Sequence, residues 1–131
     1  MMKPISVWKQ ELSGGAHAAR LAALYCCAPE QTPAQAARYE AVLEGLEATF
    51  GPHAEAGLYS APGRTEIGGN HTDHQHGRVL AGSVNIDMIA AAGPNTLGQL
   101  RVQSEGYDLC VIDLNDLAAR KEEENTSAAI P

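Results

Sequence analysis

Residues 63–77, with the sequence GRTEIGGNHTDHQHG, concentrate chemically active side chains in a short stretch. Histidines, an arginine, a glutamate and an aspartate alternate with glycines, between two more apolar stretches. A surface turn needs far fewer polar groups. The composition therefore indicates either a metal site or a site for a densely hydroxylated ligand.

Four of these residues, His71, Asp73, His74 and His76, have side chains that bind zinc and related ions. The spacing, however, lacks the i, i+4 histidine pair of a helical zinc motif, and no cysteine lies nearby. In an extended segment His74 and His76 would share one face, whereas Asp73 would point to the other. We therefore assign no metal ligands, although a metal site and a histidine-rich turn without any ligand both remain alternatives.

A sugar explains more of the residues. Each sugar hydroxyl donates and accepts hydrogen bonds, so its site needs carboxylates, amides and imidazoles that converge from a tight backbone. Asp73 is able to accept two hydroxyl hydrogen bonds at once, and such charge-assisted bonds are strong. Arg64 is a permanent cation, suited to orienting a nucleophilic hydroxyl and balancing charge on a transferring phosphoryl group. An ordinary salt bridge is the alternative for Arg64.

Composition narrows the class of protein. The 131 residues carry a net charge of −7, which argues against a general nucleic-acid partner. The three cysteines, Cys26, Cys27 and Cys110, suggest no disulfide framework, and we expect a reducing, cytoplasmic compartment. No apolar run is long enough to span a membrane, so no membrane partner is expected.

The first part of the chain has helical periodicity. Residues 4–27 predict a helix that is interrupted at Ser13–Gly15. A second helix is predicted over residues 33–50, with Thr32 as its N-cap and Gln35 completing a capping box.

Strand patterns follow Gly57. The sequence LYSA predicts a short strand before the polar loop, and residues 78–92 predict a long strand whose Ile86 and Met88 lie on the buried face. The remaining predictions are a hairpin partner at 99–104, a strand at 108–114 and a short helix at 115–120. The class is therefore α+β, with N-terminal helices followed by a small, largely antiparallel sheet.

Residues 61–87, APGRTEIGGNHTDHQHGRVLAGSVNID, resemble the galactokinase signature, in which GR-x-N-L-I-G-E-H-T-D-Y leads into a glycine and a strand. The similarity extends over about residues 57–92. The residues kept in register are Gly63, Arg64, Gly69, His71, Thr72, Asp73 and Gly77. Galactokinases belong to the GHMP family of small-molecule kinases, and this chain resembles a divergent, bacterial-like branch of it.

The resemblance implies a role for each matching residue. Arg64 corresponds to the arginine that helps to activate the anomeric hydroxyl of the sugar. His71 and Asp73 correspond to ligands of sugar hydroxyls. Asn70 stands where typical members have a sugar-binding glutamate, so this contact loses its charge and gains two donors.

Four departures from the signature bear on the substrate: Glu66, Gly68, Asn70 and His74. Galactose is the expected sugar. The alternatives are a kinase for N-acetylgalactosamine or another sugar, and a galactose-sensing regulator of the same family that does not catalyse. Asp87 is a further candidate only if its side of the strand faces the cleft, and structural pairing is the alternative for it.

The resemblance also implies a fold and a boundary. Residues 1–131 are expected to form part of an N-terminal domain of the ribosomal protein S5 domain 2-like fold. It would comprise a helical region at 1–52, the motif and sheet at 57–114, and the start of a helix at 126–131. The family's Gly-Leu-Ser-Ser-Ser-Ala phosphate loop has no counterpart here, so ATP and Mg²⁺ are expected to bind only the full-length protein. The fragment alone is expected to be inactive, and its exposed sheet edge offers a route to self-association.

Overall fold

The computed structural model describes residues 2–69, 76–116, 118 and 121. The predicted sugar ligands Asn70, His71 and Asp73 lie outside the described residues, as do half of the predicted helix at 115–120 and all of that at 126–131. The chain divides into two compact units, Met1–Gly93 and Pro94–Pro131. The signature belongs to the first unit.

Three helices make up the N-terminal part: α1 (Ile5–Ser13), α2 (Ala18–Tyr25) and α3 (Thr32–Phe50). The predicted interruption at 13–15 is confirmed, since α1 ends at Ser13 and Gly15 has a φ of 73°. That left-handed conformation favours glycine and turns the chain toward α2.

The start of α3 differs from the prediction. A 3-10 turn at Pro29–Gln31 runs directly into the helix, so Thr32 is already helical. The Thr32 hydroxyl donates to the Pro29 carbonyl at 2.8 Å instead of capping α3, and Gln35 accepts a hydrogen bond from Arg38. The predicted capping box is therefore wrong. Because the 3-10 turn at Pro29–Gln31 leads directly into α3, Thr32 lies inside the helix and not at its N-cap position.

The strands of the first unit form one antiparallel sheet in the order β1 (Lys3–Pro4), β2 (Glu55–Gly68), β3 (Leu80–Ala92). The predicted long strand is confirmed as β3. The predicted short strand is instead the 14-residue β2, which carries the first part of the polar stretch. Strand pairing turns those residues from a loop into one side of a ribbon.

The second unit contains a separate hairpin, in which β4 (Gln99–Val102) pairs with β5 (Cys110–Asp113). The predicted pairing of residues 78–92 with 99–104 is wrong, because β3 pairs with β2 and β4 pairs with β5. Local alternation identifies strands but does not specify which strand each one joins. Among the described residues, no helix combines the length and the apolarity that a membrane span requires.

The core of the first unit lies between the helices and one face of the β2–β3 ribbon. Leu43 of α3 is fully buried, and Ile89 and Ala91 of β3 pack against the core. The side chains that were predicted to be buried face the other way, with Ile86 77% and Met88 78% exposed. The predicted face is wrong because a charged residue, Asp87, occupies the inner face, where Tyr25, Arg38 and Ser60 donate hydrogen bonds to it.

Candidate functional site

Arg64 lies on β2 opposite Ser83 of β3. Its side chain is 62% exposed, and its Nη2 lies 3.7 Å from Glu66 Oε1. Residues two apart on a strand share one face, so both side chains stand on the same side of the ribbon. A long, exposed ion pair of this kind holds its partners weakly. Arg64 therefore presents a cation to solvent that a ligand is able to engage.

Gly63 lies where the two strands are out of step. Between Pro62 and Arg64 β2 advances by two residues, while its partners on β3 run over four, from Asp87 to Ser83. A Cβ at Gly63 would lie 3.1 Å from both the Ile86 carbonyl oxygen and a Val84 methyl group. A glycine therefore lets the two strands approach closely at the bulge that precedes Arg64.

Gly69 follows β2 and lies beside the residues that lead into β3. Its φ is 103°, and an added Cβ would lie 2.7 Å from Val79 Cα and would overlap the Arg78 carbonyl. Only glycine fits both the conformation and the close approach. Gly69 and the backbone at 78–79 thus bring the two ends of the signature loop together.

Of the predicted sugar-site residues, Arg64 is the one that the structure describes. Asn70, His71 and Asp73 lie outside the described residues, and so does His74 of the alternative metal site. His76 is described and exposed, with a φ of 61°. Residues 2–69, 76–116, 118 and 121 contain no group of three or more histidine, cysteine, aspartate or glutamate side chains arranged for a metal ion.

Asp87 occupies the inner face of the same ribbon, where its side chain is only 3% exposed. Its Oδ1 accepts a hydrogen bond from Arg38 Nη2 at 2.7 Å. Its Oδ2 accepts from the Tyr25 hydroxyl and from the Ser60 hydroxyl, each at 2.6 Å. One carboxylate therefore joins α2, α3 and β2 to β3.

The electrostatics of this cluster favour the ionised carboxylate. Burial by itself raises the pKa of Asp87, but hydrogen bonds from Ser60, Tyr25 and Arg38 outweigh it, and the net pKa is lowered. Burial and the bond to Asp87 raise the pKa of Tyr25, so its phenol remains a donor. The hydrogen bond to Asp87 likewise raises the pKa of Arg38. Of the two roles considered for Asp87, these contacts place it in structural pairing.

Sequence reasoning did not identify Tyr25, Arg38 and Ser60 as partners of Asp87. Their separations of 62, 49 and 27 residues leave no local pattern. The available signal was an aspartate in a strand position that alternates with apolar residues. Such a residue is either on the solvent face or paired in the interior.

Residues 45–94 match a family model described as the galactokinase galactose-binding signature. The matched segment includes the end of α3, all of β2 and all of β3. No curated protein and no solved structure matches the chain. The match supports a galactokinase-like relationship and a galactose-binding region on the β2–β3 ribbon.

Proposed function

We propose that this chain is the N-terminal, sugar-binding portion of a galactokinase. The full-length protein would transfer the γ-phosphoryl group of ATP to the anomeric hydroxyl of galactose. The observation that carries the proposal is the signature match at residues 45–94, which coincides with an exposed Arg64. The fold would be the N-terminal part of a GHMP kinase, in a cytoplasmic protein.

In this proposal β2 and β3 hold the two ends of the loop that carries the sugar site. Arg64 would orient the anomeric oxygen and balance the negative charge that develops during transfer. Asn70, His71 and Asp73 would bind sugar hydroxyls, and Gly69 brings the loop ends together. ATP and Mg²⁺ supply the phosphoryl group and its charge neutralisation, and we assign them to segments of the full-length protein outside this chain. The 131-residue chain alone would then bind sugar without phosphorylating it.

The test is a ¹H–¹⁵N NMR titration of the 131-residue chain with galactose and, in parallel, with glucose. The two sugars differ in the orientation of one hydroxyl, so they report stereochemical selection. We expect galactose, and not glucose, to shift amide signals at 63–79. Equal responses to both sugars, or none at saturating concentration, would contradict the proposed sugar site.

A matched pair of variants assigns the response to Arg64. Arg64→Met is expected to weaken galactose binding, because it removes the exposed cation that would orient the anomeric oxygen. Arg20→Met removes an exposed arginine from α2 in the same unit and is expected to leave the affinity unchanged. Loss of affinity in both variants would indicate a general charge effect and would contradict the role of Arg64.

N-acetylgalactosamine is the second candidate substrate, and Asn70 is the observation that favours it. Replacing the family's glutamate by an amide removes one charge and adds donors, which changes what the site accepts at one hydroxyl. A third titration with N-acetylgalactosamine decides between them. Tighter binding than that of galactose would assign the amino sugar as the substrate of the full-length enzyme.

A further inference from the structure

The buried cluster on the inner face of the ribbon and the exposed signature are parts of one structure. Ser60 and Pro62 lie two residues apart on the regularly paired part of β2, so they share one face of the strand. Ser60 bonds to Asp87, and Pro62 is the register partner of Asp87. Arg64 follows two residues later, immediately after the bulge. The buried carboxylate therefore bonds to β2 at Ser60, two residues before the last regular pair that precedes the bulge.

The bulge interrupts the regular β2–β3 pairing next to Arg64, so the register beyond it has to be specified separately. Two additional residues of β3 have to be accommodated between the partners of Pro62 and of Arg64. A slip of the β2–β3 pairing by one residue would move every side chain of one strand to the opposite face. Arg64 would then point away from its present side. Something has to fix the alignment, and hydrophobic packing is weak here because β2 is exposed from Tyr59 to Gly68.

Asp87 has the properties of a register clamp, by which we mean a residue whose buried contacts fix the alignment of two strands. Buried ion pairs contribute little to net stability compared with apolar residues, and their best-attested role is to specify one alignment. Asp87 is charged, 3% exposed, and supplied with three donors from three elements. A slipped register would carry this carboxylate to the exposed face or leave it buried away from its donors.

We propose that Asp87 is a positioning residue, and that its bond to the Ser60 hydroxyl fixes the β2–β3 register that sets Arg64 at the sugar site. This inference rests on the proposed function for its effect on sugar binding. Its structural part, the alignment of Arg64 with Ser83, does not depend on the identity of the ligand.

The experiment compares two variants that each remove one hydroxyl from the same cluster. Ser60→Ala removes the bond between β2 and Asp87. Tyr39→Phe removes the hydroxyl that lies 2.7 Å from that of Tyr25, a contact between α2 and α3. The two losses are similar in chemistry, so both are expected to reduce the free energy of unfolding. Only Ser60→Ala is expected to affect the signature.

Two readouts separate positioning from general stability. In the sugar-free protein, the cross-strand backbone NOE between Arg64 and Ser83 reports the register directly. We expect it to weaken or move in Ser60→Ala, to persist in Tyr39→Phe, and to return in Ser60→Thr, which restores a hydroxyl. Galactose affinity should fall roughly three- to tenfold in Ser60→Ala and stay within twofold in Tyr39→Phe.

The outcomes are distinguishable. An Arg64–Ser83 NOE unchanged in Ser60→Ala would overturn the inference, as would equal losses of affinity in both hydroxyl variants. If the unaltered chain binds no galactose, the proposed function fails while the NOE comparison still decides the register. A loss confined to Ser60→Ala would then support the clamp, and an unchanged NOE would reject it.

Discussion

The two ends of the β2–β3 ribbon are built from the same two strands but serve different purposes. In the helix-side half, residues 57–62 pair with 87–92, and the preceding residues 55–56 pair with β1. The inner face of this half carries Ala56 at 0% exposure and the buried Asp87 carboxylate. In the signature half, residues 64–68 paired with 80–83, every residue of β2 is exposed. Stability is thus concentrated at one end, and side chains available to a ligand at the other.

Charge makes the same contrast. Asp87 accepts hydrogen bonds from three donors and its pKa is lowered, so its negative charge is paired within the protein. The Arg64 side chain is 62% exposed, and its Nη2 lies 3.7 Å from Glu66 Oε1. The helix-side half satisfies its polar groups internally, whereas the signature half leaves a cation for a ligand. Removing a core or buried charged side chain from the helix-side half should therefore mainly reduce stability, whereas removing Arg64 from the signature half should mainly reduce binding.

The largest loss of stability is expected from Leu43→Ala. Leu43 is fully buried at the centre of the core beneath the helix-side half, and removing its side chain leaves a cavity. We expect the free energy of unfolding to fall by about 2–5 kcal/mol. Met88→Ala on the exposed face of the ribbon is the control, because Met88 is 78% exposed. Urea denaturation measures both, and a comparable loss in Met88→Ala would show that the outer face is covered and would break the contrast.

Gly69→Ala tests the signature half by its backbone. The added methyl group would meet Val79 Cα and the Arg78 carbonyl, and the residue would keep a φ of 103°. Strain of this kind costs roughly 1–3 kcal/mol, and here the chain is expected to relieve it by separating the loop ends. Proposed galactose binding should then be lost.

Gly68→Ala is the matched control for Gly69→Ala. It adds the same methyl group one residue earlier, where no atom of the described residues lies within 4 Å and φ is not positive. We expect stability and galactose affinity close to those of the unaltered chain. Equal loss of galactose affinity in both alanine variants would show that the signature requires flexibility of the glycine pair rather than the fit at Gly69, and unchanged affinity in both would contradict any role for that fit.

Local patterns in the sequence predicted the elements well where one helix or strand explains its own periodicity. The α1–α2 interruption, the extent of α3 and the long β3 all follow from residues within a few positions of each other. The partner of β4 and the inner face of β3 did not follow, because both depend on residues far apart in the chain. Hydrophobicity assigned Met88 to the core, whereas the Tyr25, Arg38 and Ser60 donors place Asp87 there instead.

The site divides in the same way. The motif identified Arg64 as a candidate because a permanent cation among glycines suits a site for phosphoryl transfer. The structure shows Arg64 exposed on β2. The reason for Gly63 and Gly69 required the bulge and the approach of residues 78–79, which no sequence spacing specifies. The roles of Asn70, His71 and Asp73 stay predictions.

Asp87→Asn tests the helix-side half through pH. The pKa of Asp87 in the folded protein lies below its ordinary value of 3.8, so its ionised form stabilises the fold above that pH. We expect the variant to be less stable by about 1–2 kcal/mol at neutral pH. The difference should shrink as pH falls below about 4 and through the folded pKa. Urea denaturation across pH 2–8 measures it, and a difference that is independent of pH would show that the carboxylate charge is not responsible.

The smallest effect on stability, and the largest expected contrast with binding, belongs to Arg64→Met. The side chain is 62% exposed and its ion pair with Glu66 is long, so the free energy of unfolding should change by less than about 0.5 kcal/mol. The proposed galactose affinity should nevertheless fall clearly, because methionine lacks the cation that would contact the sugar. Calorimetric titration with galactose and urea denaturation of the same sample give both numbers. A variant that loses stability but keeps its sugar affinity would show that Arg64, like Asp87, has a structural role. The proposed division of the ribbon into a stabilising half and a binding half would then be wrong.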